Sequence, residues 1–155
     1  MHIHVSYDLL GNGWSTCFIR VDQMIHQINI THVFSSPIED CMFVLKRMIK
    51  GEKKDSFIWY DEPGGTKFKI VEILKKSGEI KITATQFENS YGEEIQNEKL
   101  LFEFIILKRI FFKMMYYEFL KIANLLSEKK FAENKRKDFP FNSFKTFEKS
   151  VLDYV

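Results

Sequence analysis

Two runs of strand-forming residues, parted by a proline–glycine break, dominate the middle of this chain. Phe57, Ile58, Trp59 and Tyr60 precede the break, and Phe68, Ile70, Val71 and Ile73 follow it. Aromatic and β-branched side chains suit a pleated, half-buried surface. Between the runs stands Asp61-Glu62-Pro63-Gly64-Gly65. Proline presets φ at the second position of a turn, and glycine accepts a positive φ at the third. The stretch therefore predicts a β-hairpin with an acidic tip. Successive strand residues point to opposite faces. Only one of Trp59 and Tyr60 can then enter the core, and Trp59, in register with Phe57, is the expected one.

The rest of the chain builds around that hairpin. Alternation predicts a short strand at residues 2–7, a second over 15–21 and a third over 24–33. Gly11-Asn12-Gly13 marks the first turn. Ser36-Pro37-Ile38-Glu39 is a helix start, with serine at the N-cap, proline at the first helical position and glutamate at N3. Apolar residues at 38, 41, 42, 45, 48 and 49 keep helical spacing, and Gly51 stops the helix. Residues 57–86 read as a three-stranded meander. A further strand follows over 99–106, with Leu100, Phe102, Phe104 and Ile106 on one side. From about residue 107 the period becomes helical, with Phe112, Met115, Phe119 and Ile122 on one stripe. Residues 127–138 read as a charged loop. Asn142 or Ser143 caps a last short helix carrying Phe144, Phe147, Val151 and Leu152. Strands that follow one another without intervening helices form antiparallel sheets. The expected class is α+β: one antiparallel sheet with a helix after the third strand, and a long helix plus a short C-terminal helix packed on it.

At 155 residues the chain is expected to be one domain spanning 1–155. It is 45% hydrophobic and 15% aromatic, too apolar for a disordered segment. A net charge of +2 makes no general electrostatic case for nucleic acid. The middle of the chain is mildly acidic and its last third basic. Cys17 and Cys41 are the only cysteines. Lacking CxxC spacing, they suggest neither a disulfide framework nor a zinc site, and a reduced cytoplasmic setting is expected. The N-terminal residues lack the pattern of a signal peptide. Charged residues interrupt the apolar stretch 100–126, so no membrane span is expected.

Candidate chemistry is sparse. His2 and His4 share a strand face at a spacing that suits two metal ligands, but no third ligand pattern accompanies them. An exposed terminal strand accounts for them better. His26 and His32 lie among apolar residues and read as core-edge histidines. A nucleophile needs a base and an orienting group, and neither cysteine has them nearby. No catalytic residue, metal or cofactor is expected. Three surface features remain. The acids Asp61, Glu62, Glu88, Glu93 and Glu94 would form a patch if the meander tips gather, against the alternative of ordinary solvated turns. Lys129-Lys130 and Lys135-Arg136-Lys137 could bind phosphates, although a solvated connection explains them as well. The Phe/Met stripe of the long helix is explained by packing.

Trp59-Tyr60-Asp61-Glu62-Pro63-Gly64-Gly65 resembles a W-x-D-E-P-G-G hairpin of small bacterial cytoplasmic immunity proteins of polymorphic-toxin and contact-dependent growth inhibition systems. The resemblance extends to the amphipathic helix ending at Gly51, Lys67-Phe68-Lys69, Ser77-Gly78-Glu79, Phe87-Glu88 and the Phe139-Pro140 step. It covers roughly residues 36–152 and leaves the first 35 unmatched. It implies a non-enzymatic inhibitor that binds a cognate toxin C-terminal domain one to one, with no cofactor, small-molecule substrate, membrane or direct nucleic-acid partner. The expected toxin-facing residues are Tyr60, Asp61, Glu62, Glu88, Tyr91, Glu93 and Glu94. The competing expectation is a small nucleic-acid-binding module using the basic C-terminal third.

Overall fold

The computed structural model describes residues 1–75, 78–88, 95 and 97–155. Three strands open the chain: β1 (Ile3–Gly11), β2 (Trp14–Val21) and β3 (Met24–Thr31). Helix α1 (Pro37–Ile49) follows. Then come β4 (Lys54–Tyr60), β5 (Gly65–Glu72), β6 (Glu79–Phe87) and β7 (Lys99–Leu107). The chain closes with α2 (Lys108–Leu125), α3 (Lys129–Ala132), a 3-10 turn (Arg136–Asp138) and α4 (Phe141–Tyr154). The class is α+β and, among the described residues, every strand pairing is antiparallel.

The expected single sheet is corrected to two, a three-stranded sheet β1-β2-β3 and a four-stranded sheet β4-β5-β6-β7. Helix α1 is the physical reason. It carries the chain from β3 onto the side of β4, so no ladder joins those strands. Instead β3 lies across the second sheet. His26 near its start sits 4.8 Å from the ring of Phe102 in β7, while Phe34, just beyond its end, meets Tyr60 of β4 at 6.1 Å.

Alternation decides what lies between the sheets. Val5, Tyr7, Leu9, Cys17, Ile19, Ile28 and Ile30 are buried from the first sheet. Phe57, Trp59, Phe68, Ile70, Ile82, Phe102 and Phe104 are buried from the second. Tyr7 joins the layers, with its ring edge-on to Trp59 at 5.4 Å and to Phe119 of α2 at 5.9 Å. Such pairs add about 1 kcal/mol beyond area burial. Trp59 is 1% exposed, as the strand register required, and its Nε1 donates to Pro37 O at 2.9 Å. The hairpin is thereby tied to the first turn of α1.

The helices pack where their apolar stripes point, but their ends differ from expectation. Ser36 makes no side-chain cap; its carbonyl accepts from Asp40 N at 2.8 Å. Glu39, expected to reach back to Ser36, instead accepts a hydrogen bond from Ser143 Oγ. Neither Asn142 nor Ser143 caps the last helix as expected, because both already lie inside it. Helix α4 starts at Phe141, with Phe144 N donating to Pro140 O at 2.9 Å. Gly51 has φ of 117°, a left-handed value that favours glycine at a helix end. Lys108 opens α2 almost wholly buried, and its Nζ donates to Met48 O at 2.7 Å. It so adds a buried charged donor to a carbonyl at the end of α1 that also accepts from Gly51 N at 3.3 Å. Leu100 departs from its expected row and is 61% exposed, because the register shifts between Ala84 and Thr85.

Candidate acidic cleft at the hairpin tip

The hairpin tip rests against the end of β6, and two glycines allow it. Gly64 lacks the expected positive φ, and the Glu62–Pro63 peptide is cis. The turn closes by Asp61 N donating to Gly64 O at 2.8 Å. Glycine is needed at 64 for close approach: an added Cβ would stand 2.0 Å from Phe87 O. At Gly65 it would stand 2.7 Å from Phe87 Cζ and 2.8 Å from Trp59 O. The tip is therefore seated on a backbone that cannot yield cheaply.

Seating the tip there brings Asp61 and Glu62 beside Glu88, the residue after Phe87. All three line an open cleft of about 700 Å³ whose other wall includes Gln27, Ile28 and Asn29 of β3. Consecutive β3 residues line it, and β3 pairs only with β2. The carboxylates are held lightly. Asp61 Oδ1 accepts from Glu62 N at 2.8 Å, and Glu88 Oε2 accepts from Asn97 Nδ2 at 3.3 Å. Glu62 and Glu88 are exposed. Acids in such a place act through their field more than through single contacts.

Of the expected site residues, Asp61, Glu62 and Glu88 gather here. Tyr60 points to the other face of the hairpin, half-buried, with Phe34 at 6.1 Å and Phe87 at 6.3 Å. Tyr91, Glu93 and Glu94 lie outside the described residues. The sequence reading missed the amide-bearing wall, Gln27, Asn29, Gln86 and Asn97, as well as Lys99. It also missed Glu98, which accepts from Thr85 Oγ1 at 3.2 Å. Polar residues of several strands meet at a sheet end only after folding, and no spacing in the chain announces it.

Other chemical groups are engaged in the fold. Ser15 Oγ and His32 Nε2 are 2.6 Å apart, but Ser15 is 1% exposed and the pair lines no part of the cleft. Burial lowers the His32 pKa, with Asp138 opposing in part. Burial first, and the nearby Cys41 second, pushes the Cys17 thiol far up; burial first, and Asp40 second, does the same to Cys41. Neither is a thiolate at neutral pH, so neither is an activated nucleophile.

The basic connection is more structured than the expected loop, holding α3 and the 3-10 turn. Lys135 Nζ lies 4.9 Å from the Phe131 ring centroid and the Arg136 guanidinium 4.7 Å from that of Phe141. Arg136 Nη1 also donates to Leu126 O at 3.3 Å. The segment is strapped to the β1–β2 turn, with Asn12 N donating to Asn134 O at 2.9 Å and Gly13 N to Asp138 Oδ2 at 3.1 Å. Among the described residues no helix is long and apolar enough to cross a membrane. No family model matches the chain, nor does any curated protein or solved structure.

Proposed function

We propose that this chain is a stoichiometric protein inhibitor of the immunity type, cytoplasmic and non-enzymatic. It binds a cognate toxin C-terminal domain one to one and blocks its active site or its access to target. The observation that carries the reading is the gathering of Asp61, Glu62 and Glu88 around one open cleft, at the end of a sheet whose tip is pinned by Gly64. Binding residues favour turns placed on a rigid scaffold. The hairpin resemblance supports the same reading from the sequence side.

If the toxin is a nuclease, its groove is positive so as to hold phosphates. An acidic cleft then steers the encounter and sets specificity, more than it adds affinity. The test is calorimetry and stopped-flow binding with the toxic domain encoded beside this chain. One-to-one stoichiometry is expected, together with an association rate that falls steeply with salt. Reversing Glu62 and Glu88 to lysine should slow association by about tenfold at low ionic strength. Unaltered affinity and salt dependence would place the interface elsewhere. The nucleic-acid alternative draws less support, since Lys135 and Arg136 are each engaged with an aromatic ring of the chain itself.

A further inference from the structure

The other face of the same hairpin carries the opposite charge. On the face of the four-stranded sheet turned away from the core stand Lys54, Ser56 and Ile58 of β4, with Lys67 opposite Ile58 and Lys69 opposite Ser56 on β5. No described helix covers the centre of this face. Against this sheet helix α1 packs along β4, which leaves a groove of about 390 Å³ between them. Its apolar lining includes Phe34, Phe43, Ile58 and Tyr60. Phe34 and Phe43 are each 38% exposed, so the groove presents aromatic surface to solvent.

Basic side chains outnumber acids around the groove. Lys46 Nζ sits 5.8 Å from the Phe43 ring centroid, and Lys54, Lys67 and Lys69 rise from the sheet beside it. None of these four lysines forms an ion pair with a described residue. The groove's own acids are Asp40, in its wall, and neighbouring Asp55, which Arg47 Nε holds at 2.6 Å. An apolar slot rimmed by free lysines is complementary to a segment with an apolar side chain flanked by carboxylates. Single-stranded nucleic acid fits less well. It needs open aromatic faces for stacking, whereas Tyr60 and Phe34 meet edge to face and Lys46 lies over Phe43.

We infer that the groove between α1 and β4 is a second docking site, on which an acidic protein segment seats an aromatic or aliphatic anchor against Phe34, Phe43, Ile58 and Tyr60. The site goes beyond the hairpin-tip cleft and is independent of it. Its partner surface is negative, where the cleft calls for a positive one.

The experiment titrates the intact chain with a fluorescein-labelled peptide of glutamate and aspartate bearing spaced phenylalanines. Polarisation reads affinity, and 15N-edited NMR maps the perturbed amides. Amide changes at Phe43, Arg47, Ile58 and Lys67 are expected. Affinity should weaken about tenfold in the Lys67→Glu/Lys69→Glu variant and again on raising salt. Phe43→Ser should weaken it comparably, and Glu62→Lys/Glu88→Lys should leave it intact. Melting temperatures of all variants are checked first. The inference is overturned if Lys67→Glu/Lys69→Glu binds the peptide as well as the parent, or if the changes map to the hairpin-tip cleft. It is equally overturned if labelled oligouridylate binds the groove more tightly than the peptide, or if self-association fills it and the peptide cannot compete.

Discussion

The hairpin tip and the basic connection between α2 and α4 look alike as strings of charged residues, yet the fold treats them in opposite ways. At the tip the backbone is locked by close packing and the carboxylates are only lightly held. Gly64 is pressed onto Phe87 while Glu62 and Glu88 face solvent. In the connection, part of the charge is consumed in holding the backbone. Arg136 covers Phe141 and binds a carbonyl, and Asp138 holds the β1–β2 turn. The tip's shape is thus set by backbone packing, whereas Arg136 and Asp138 help to set the shape of the connection.

The largest test breaks the lock itself. Gly64→Ala forces a Cβ to within 2.0 Å of a carbonyl oxygen, and backbone must move. Overpacking of this kind costs about 3 kcal/mol, and denaturant unfolding should show a loss of that order with the cleft disordered. Stability within about 0.5 kcal/mol of the parent, an ordinary surface effect, would mean that the tip is not seated as described.

Arg136→Met comes next. It removes the ring contact with Phe141 and the bond to Leu126 O, and should cost about 1 kcal/mol of stability. A neutral result would put the basic connection in the same class as the acidic tip and erase the contrast.

His32 offers a pH-dependent check on the strap. Burial holds its folded pKa below the unfolded value, so the unfolded chain takes up the proton first. Stability should be steady above about pH 6.5 and fall as pH drops from there through the lower folded value. His32→Gln should flatten that part of the profile, although carboxylate titration will remain below it. Thermal melts between pH 7 and pH 5 measure the difference; identical slopes in both proteins would assign the acid limb to other groups.

The smallest stability effect belongs to the tip carboxylates. Glu62→Lys together with Glu88→Lys should change unfolding free energy by less than about 0.5 kcal/mol, since both are exposed and only Glu88 holds a side-chain partner, Asn97. A larger loss would show that these acids serve the fold, and would weaken their assignment to a partner.

Local chemistry settled which segments are strands and helices. Alternation at residues 15–21 and 57–60 and helical spacing at 38–49 are properties of the chain alone, because strand and helix periods are built into the backbone. The choice of Trp59 for the core followed from the same parity. Ser36 and Ser143 show the limit of that logic: Ser36 precedes its helix without making a side-chain cap, and Ser143, inside α4, binds Glu39, a partner far away in sequence. The division into two sheets, the bulge that exposes Leu100 and the role of Gly64 were decided only by tertiary packing. So was the meeting of Asp61, Glu62 and Glu88 with an amide wall from β3. Periodicity states which way a side chain points relative to its own strand. It is silent on which distant backbone will lie against it, and that contact makes Gly64 obligatory and shapes the cleft.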